Sequence, residues 1–176
     1  MSKILKILLL IILFSTQSFA EVVNEVKIVN NDRISKETIL VFSDIKLGKN
    51  YDSNDLNKII QDLYDTDFFS NVSIDFANGI LTINVVENKI IQKVDINGIK
   101  KKELVEILKK QILLKDKNPF VESFVLNDIN RIQKILKNSG YYFANVTDSI
   151  IENDNNTVNV IYNVDIGEKA YIKSIE

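Results

Sequence analysis

Carboxylates are the groups in this sequence best suited to acid–base or metal chemistry. The chain has 24 Asp and Glu residues but neither His nor Cys. This composition excludes a histidine-based catalytic triad and the common zinc sites built from imidazole and thiolate ligands. Two carboxylates are enough for glycoside hydrolysis, so a cell-wall hydrolase is the enzyme class that the composition leaves open.

The positions of the carboxylates argue against such an enzyme. Asp52 stands before a predicted helix and Asp154 in a predicted turn, where each has a structural use. Asp62 and Glu106 fall on predicted helix faces, and no spacing brings a catalytic pair together. The segment ENDNN at residues 152–156 lacks the ligand alternation and closing Glu of a calcium loop, so we interpret it as a hairpin turn. We therefore predict no enzymatic activity, no metal and no cofactor.

Overall composition favours a folded chain that does not bind nucleic acid. Hydrophobic residues make up 45% of the sequence and charged residues 26%, which is enough apolar content for packed cores. The net charge is −2, and the lysines are interspersed with Asp and Glu as on solvated surfaces. Nucleic acid is therefore not an expected partner.

The first 20 residues have the pattern of a cleavable export signal. Lys3 and Lys6 precede the apolar run Ile7–Phe14, and small residues at Ser18 and Ala20 fit cleavage after Ala20. The apolar run is shorter than the roughly 20 residues that a membrane span needs, although a membrane anchor remains the alternative. An exported chain without Cys must gain its stability from packing rather than from disulfides.

Hydrophobic periodicity predicts a strand, two helices and two strands in the first half of the chain. Ser35 is a candidate cap for the first helix and Asp52 or Ser53 for the second, and Asn78-Gly79 is a strong hairpin signal. The predicted strands are Glu25–Asn30, Val72–Phe76 and Ile80–Val86, and the predicted helices follow Ser35 and Asp52.

The second half repeats the same order. A second helix is predicted to start at Asn118-Pro119, because Pro is favoured at the first helical position, and to end at Gly140. The predicted strands are Ile90–Ile96, Ala144–Ile151 and Thr157–Asp165, and the first predicted helix is Lys101–Ile112.

The sequences LYDTDFFSNV at residues 63–72 and LKNSGYYFANV at residues 136–146 mark the same joint in both copies. Each lies where the second helix ends and the chain enters the sheet. We interpret the paired aromatics as plugs that pack between helix and sheet. These residues are Phe68, Phe69, Tyr142 and Phe143.

These joint motifs resemble those of POTRA (polypeptide-transport-associated) domains. The residues that carry the resemblance are Arg33-Ile34-Ser35, the LYDTDFF segment from Leu63 to Phe69 with Val72, and GYYFANV from Gly140 to Val146. The family often has Gly where Asp67 stands and Gly-Asn where Asn30-Asn31 stands. Asn and Asp accept left-handed backbone conformations better than most residues, so neither departure conflicts with the fold.

The resemblance implies an α+β fold of tandem βααββ units, each a three-stranded mixed sheet with two helices packed on one face. The domains would be a signal peptide at residues 1–20, a first POTRA-like domain at 21–89 and a second at 90–168. Residues 169–176 are expected to form the first strand of a third, truncated unit, because AYIKSIE is similar to IIQKVDI at residues 90–96. The chain would then be a fragment; the alternative is that this strand docks on the second unit as an extra strand.

A signal followed by tandem POTRA units implies the periplasmic region of a protein of the Gram-negative cell outer membrane. The expected function is assembly and insertion of outer-membrane β-barrels, with unfolded outer-membrane proteins and accessory assembly lipoproteins as partners. A C-terminal barrel, absent from this sequence, would provide the attachment to the membrane. The alternatives are a two-partner-secretion or translocation-and-assembly barrel transporter and a signal-anchored division scaffold.

Pairing of the first strand with the third would leave the second strand of each unit at a sheet edge. An edge strand can bind an extended polypeptide through unpaired backbone groups with little sequence preference. The alternative is that a neighbouring unit covers these edges, which would then only be spacers. The candidate client-binding edge residues are Val72, Ser73, Ile74, Asp75, Phe76, Ala144, Asn145, Val146, Thr147 and Asp148.

Overall fold

The computed structural model describes residues 21–169, which form two three-stranded mixed sheets with helices on one face of each. This confirms the predicted α+β fold. The predicted signal peptide at residues 1–20 and all but the first residue of the predicted strand at 169–176 lie outside the described residues. Between residues 21 and 169, no helix has both the length and the apolar character to cross a membrane.

The first copy of the module, called unit 1, is built around a central strand that pairs in parallel on one side and antiparallel on the other. The elements are β1 (Glu21–Val22), β2 (Glu25–Val29), α1 (Lys36–Ser43), β3 (Asn50–Tyr51), α2 (Ser53–Tyr64), β4 (Phe69–Ala77) and β5 (Ile80–Glu87). The central strand β5 lies between β2 and β4, and β1 and β3 form a separate two-stranded antiparallel ribbon.

Both helices of unit 1 begin after capping side chains that the sequence predicted. The Ser35 side chain accepts a hydrogen bond from the backbone N–H of Thr38 at 3.2 Å. Asp52 forms a capping box with Asp55, whose carboxylate accepts the N–H of Asp52 at 3.2 Å. These contacts pair amide groups that a helix start otherwise leaves without partners.

Unit 1 has its own hydrophobic core between the helices and one face of the sheet. Leu81, Ile83 and Val85 of β5 are completely buried, as are Ile39 of α1 and Leu63 of α2. The alternation along β5 follows from the period of two in a strand, which places every second side chain on the helix face. Each such side chain contributes roughly 1.5–3 kcal/mol through burial.

The second copy, unit 2, repeats this topology and has a separate core. Its elements are β6 (Ile90–Asn97), α3 (Lys102–Gln111), α4 (Ser123–Asn138), β7 (Asn145–Asn153) and β8 (Thr157–Asp165). β8 pairs in parallel with β6 and antiparallel with β7. One face of β8 carries a row of buried side chains, Val158, Val160, Tyr162 and Val164.

A buried carboxylate organises the core of unit 2. Asp128 of α4 is 0% exposed and accepts backbone hydrogen bonds from Leu113 at 2.5 Å and Leu114 at 2.9 Å. The Tyr162 hydroxyl donates to the same carboxylate at 3.0 Å. These contacts fix the start of the loop between α3 and α4 against the sheet, because a buried carboxylate requires donors around it.

The predicted helix start at Asn118-Pro119 is wrong, since α4 begins at Ser123. Pro119 instead forms an isolated bridge to Ile90, next to two hydrogen bonds that join Ile91 to the loop. The Ile91 N–H donates to the Asn118 carbonyl at 2.9 Å and the Lys117 N–H donates to the Ile91 carbonyl at 2.7 Å. Tertiary pairing at a sheet edge, where a missing N–H is tolerated, overrides the helix-start signal of this Pro.

The interpretation of all four joint aromatics as core plugs is wrong for unit 2. Phe69 is 3% exposed, whereas Tyr142 is 58% and Phe143 81% exposed. Phe68 packs partly buried against the core of unit 1, as the interpretation requires. In unit 2 it is Tyr141 that packs partly buried against the core.

An extra residue in the second joint explains this difference. Each joint starts at a left-handed residue, Asp67 with φ 59° and Gly140 with φ 92°, and reaches a buried Val in the following strand. The step is five residues to Val72 but six to Val146. The additional residue moves two aromatics into a solvent-exposed turn. The left-handed Asp67 also shows how this chain manages without the Gly that the family often has there.

Candidate functional site: the edge strands

β4 and β7 are edge strands in the structure, because the first strand of each unit pairs with the third. The sheet orders are β2-β5-β4 and β6-β8-β7. Nine of the ten candidate edge residues lie within β4 or β7, and Ala144 immediately precedes β7. The residues are therefore gathered on two separate edges, one in each unit, and not in a single site.

The outward-facing backbone groups of β4 follow from its pairing with β5. The Val72 N–H donates to the Tyr64 hydroxyl at 3.0 Å and so points away from β5. Antiparallel pairs alternate between residues that bond to the partner strand and residues that face away from it. Ile74 and Phe76 have the same parity as Val72, so their N–H and C=O groups also face the open edge.

Tyr64 limits where a new strand can pair with β4. Its hydroxyl accepts the Val72 N–H and donates to Asn71 Oδ1 at 3.3 Å. The first outward N–H of the edge is therefore already bonded, which leaves those of Ile74 and Phe76 for a partner. Sequence reasoning missed this contact of Tyr64, because it depends on how close the helix lies to the strand.

Side chains along β4 suit the addition of a strand with alternating character. Val72 is buried, and Ile74 and Phe76 are half-buried against the core of unit 1. Ser73 and Asp75 point to the opposite, exposed face. An added strand would extend both faces of the sheet, so its own alternate side chains would meet an apolar row on the helix side.

The edge of β7 differs by a charge in the middle of the equivalent row. Val146, Asp148 and Ile150 pair with Val164, Tyr162 and Val160 of β8. Burial raises the pKa of Tyr162, and the negative charges of Asp128 and Asp148 raise it further. A carboxylate on the helix side of an edge strand disfavours apolar strand addition.

The first strands of the two sheets are protected to different extents. In unit 2 the loop between α3 and α4 pairs along β6, and the Val94 N–H donates to Asp116 Oδ1 at 2.7 Å. In unit 1 the corresponding loop pairs with residues 21–23, ahead of β2. There the Val23 N–H donates to the Lys49 carbonyl at 3.0 Å. Sequence patterns did not predict these covers, because the loops have no regular periodicity.

Glu87 at the end of β5 is a structural carboxylate that sequence reasoning also missed. Its side chain is 3% exposed and its Oε1 accepts the backbone N–H groups of Asp32, Arg33 and Ile34 at 2.9, 3.0 and 2.9 Å. Burial alone would raise the pKa of Glu87, but these bonds and the Arg33 charge lower it below its usual value. The contact fixes the turn before α1. Its only signal in the sequence was an acidic residue that could face the Arg33-Ile34-Ser35 motif.

The described residues contain no cluster of three or more His, Cys, Asp or Glu side chains able to hold a metal ion. The acids singled out from the sequence have local partners or positions instead. Asp52 caps α2, and Asp62 forms an ion pair with Lys58 at 2.9 Å. What the site offers is backbone pairing at an edge and the side chains that flank it.

The family comparison matches the chain twice, once for each unit. The model for POTRA, described as surface antigen variable number repeat, covers residues 21–88 and 89–167. The chain belongs to the POTRA family. The resemblance of its joint motifs to those of POTRA domains is thereby confirmed.

The curated relatives are outer-membrane assembly proteins. The chain is 28% identical over 166 residues to the outer membrane protein assembly factor BamA of Neorickettsia risticii, covering 94% of this chain and 22% of that protein. It is 23% identical over 156 residues to BamA of Neisseria meningitidis, covering 88% and 20%. The chain thus spans about a fifth of the length of the curated relatives it matches, and its likeness is to the POTRA region of BamA and Omp85 proteins.

Solved structures support the same fold. The N-terminal domain of Omp85 from Thermosynechococcus elongatus aligns with a TM-score of 0.54 at 14% identity, covering 80% of this chain and 61% of that one. POTRA1-2 of the periplasmic domain of Omp85 from Anabaena aligns with a TM-score of 0.50 at 19% identity, covering 85% and 97%. At these identities the likeness shows the fold alone.

Proposed function

We propose that this chain is the periplasmic POTRA region of an outer-membrane β-barrel assembly factor, and that its edge strands receive unfolded outer-membrane proteins. The observation that carries the proposal is the edge of β4, where the backbone groups of Ile74 and Phe76 face away from β5 beside a row of half-buried apolar side chains. The relatives named as BamA support the assignment to outer-membrane assembly.

Strand addition explains how one surface accepts many different clients. Each backbone hydrogen bond contributes a net of about 0.5–1.5 kcal/mol whatever side chains the client carries. The open groups of β4 therefore give weak binding to any extended segment, and the apolar row on the helix side favours segments that alternate in hydrophobicity. Such segments are what the strands of a membrane barrel provide before they fold.

The rest of the proposal concerns location and partners. Residues 1–20 act as a signal peptide, residues 21–89 and 90–168 are the two domains, and residue 169 begins a third unit. Accessory assembly lipoproteins dock on the same region, which acts as a scaffold without catalysis. N-terminal sequencing of the exported chain tests the first point, since a terminus at Glu21 is expected and an intact Met1 would favour the membrane-anchored alternative.

Photo-cross-linking tests strand addition at β4. A benzoyl-phenylalanine at Asp75, on the exposed face of β4, is expected to cross-link an unfolded outer-membrane protein. The matched control places the same group at Lys27, which is equally exposed on the opposite edge of the same sheet. Equal cross-linking at the two positions would contradict the assignment of the β4 edge.

A proline substitution separates pairing from side-chain contacts. Ile74→Pro removes an outward N–H without breaking a bond to β5, whereas the control Ile74→Val keeps the N–H and loses a similar amount of side chain. We expect cross-linking from position 75 to fall at least fivefold in the proline variant only. Unchanged cross-linking in a proline variant with a wild-type circular dichroism spectrum would overturn strand addition at this edge.

A further inference from the structure

A groove of about 830 Å³ lies where unit 1 meets unit 2. One wall includes Tyr64 at the end of α2 and Phe69 and Ser70 at the start of β4, and the other includes Val121 and Glu122 just before α4. Two contacts join the linker residue Lys89 to unit 2 beside the groove. The Phe120 N–H donates to the Lys89 carbonyl at 2.7 Å, and Lys89 Nζ lies 2.5 Å from Glu152 Oε1.

The groove is continuous with the edge of β4. Ser70 is an extra residue in the pairing of β4 with β5, which shifts between Phe69 and Asn71, and its hydroxyl donates to the Val86 carbonyl at 3.1 Å. A bulge bends and twists the strand that carries it. The edge that passes Ile74 and Phe76 therefore ends in the groove, and a strand added along this edge would place one of its ends there.

The lining of the groove combines apolar side chains with uncompensated negative charge. Val86 is 49% exposed, and Phe120 and Val121 are half-buried. Among the four lining carboxylates, Glu87 is bonded to Arg33 and Glu152 to Lys89. Within the part of the chain that the structure describes, Asp32 and Glu122 form no salt bridge, so the charge left free at the groove is negative.

We propose that this groove binds an apolar side chain that is flanked by a Lys or Arg in an extended client polypeptide, and so sets the register of the strand added to β4. The proposal rests on the proposed function, since it concerns the same edge. Backbone pairing alone does not choose between registers two residues apart. One register is favoured when an apolar residue of the client binds in the groove and a cationic residue lies near Asp32 or Glu122.

The pocket at the start of β7 differs from the groove in size and lining. Its volume is about 310 Å³, and five of its seven lining residues carry polar side chains: Asn97, Asn145, Thr147, Asn163 and Asp165. It is therefore less suited than the groove to hold a large apolar side chain. The proposal therefore assigns register selection to unit 1.

Fluorescence anisotropy with two labelled peptides tests the groove, using the chain purified from periplasmic extracts. Both peptides have ten residues of alternating Thr and Val. One carries Lys-Phe near one end and the other carries Glu-Phe at the same place. Each peptide is made twice, with the dipeptide near the N-terminus or near the C-terminus. We expect the Lys-Phe peptide to bind at least fivefold more tightly, the size of about one exposed ion pair. The double variant Asp32→Lys, Glu122→Lys should reverse this preference.

The control variant Glu106→Lys makes the same change of charge as one groove substitution, but on the exposed face of α3 and away from the groove. It should leave the preference for the Lys-Phe peptide unchanged. Equal binding of the two peptides, or a preference that Asp32→Lys, Glu122→Lys does not alter, would overturn the groove proposal. If Ile74→Pro still abolishes binding in that case, the proposed function stands without it. If Ile74→Pro leaves both peptides bound, strand addition at β4 fails, and the register proposal fails with it.

Discussion

Units 1 and 2 support the loop after their first helix in different ways. In unit 1 the Tyr51 hydroxyl accepts the Lys46 N–H at 2.8 Å. In unit 2 the buried carboxylate of Asp128 accepts the N–H groups of Leu113 and Leu114. Each unit needs a side chain that accepts hydrogen bonds from these loop N–H groups, because unpaired polar groups are costly inside a protein. The residue that provides this side chain differs between the two units.

The edge strands of the two units also differ in one side chain of the row that faces the helices. β4 presents Val72, Ile74 and Phe76 on its helix side, whereas β7 has Asp148 at the position equivalent to Ile74. The same topology therefore gives one edge suited to an apolar strand and one guarded by a charge. Under the proposed function, the β4 edge of unit 1 is therefore the one expected to receive a client.

Removal of Asp128 is the strongest way to test the difference between the loops. Asp128→Ala leaves two backbone N–H groups and the Tyr162 hydroxyl without their partner, so we expect unit 2 to lose about 4 kcal/mol of unfolding free energy. Urea unfolding followed by circular dichroism measures the change. The control Asp55→Ala, at the equivalent position of α2, removes a helix cap and should cost about 1 kcal/mol. Similar losses in both variants would contradict the special role of Asp128.

A second test compares the turns that follow the first strands. Gly98 has φ 89°, and a Cβ there would lie 1.8 Å from the Val164 carbonyl oxygen. Gly98→Ala should therefore cost about 3 kcal/mol through strain and steric overlap. Asn30 occupies the left-handed position of unit 1 with φ 62°, and Asn30→Gly should change stability by less than about 1 kcal/mol. Thermal unfolding measures both, and a tolerated Ala at Gly98 would contradict the close approach.

The pH dependence of unit 1 tests the Glu87 contact. The folded-state pKa of Glu87 is lowered, so its contribution to stability is present above the unfolded pKa of roughly 4.3 and is lost as pH falls through the folded pKa. Glu87→Gln should remove about 2 kcal/mol at pH 7 and flatten the dependence below pH 4. Urea midpoints at several pH values give the comparison. An unchanged acid slope would show that Glu87 does not supply it.

The smallest expected effect concerns the edges themselves. Asp148→Ile replaces the charge on β7 by the residue that β4 has at Ile74, so β7 should bind the alternating Thr-Val peptide several-fold more tightly, by about 1 kcal/mol. The reciprocal Ile74→Asp should weaken binding at β4 by a similar factor. Anisotropy titrations measure both. If neither exchange alters the affinity, the side chains of these rows do not distinguish the two edges.

Much of the fold could be predicted from local sequence. The cap at Ser35, the Asn78-Gly79 turn and the strand Thr157–Asp165 depend on signals within a few residues, so sequence reasoning found them. The edge position of β4 and β7 followed from topology alone.

The missed features depend on tertiary partners. Pro119 pairs with β6 rather than starting α4, and one extra residue exposes Tyr142 and Phe143. The contacts of Glu87 and Asp128 join segments more than ten residues apart. No local pattern encodes such contacts, although an acid on the apolar face of α4 was a signal for Asp128.

Amide hydrogen exchange of the two edges, measured by NMR with and without an unfolded outer-membrane protein segment, tests the central claim most directly. Strand addition at β4 predicts that the Ile74 and Phe76 amides exchange at least tenfold more slowly when the segment is bound, while those of Asp148 and Ile150 change less. Exchange rates at Ile74 and Phe76 that stay the same under saturating segment would contradict the account.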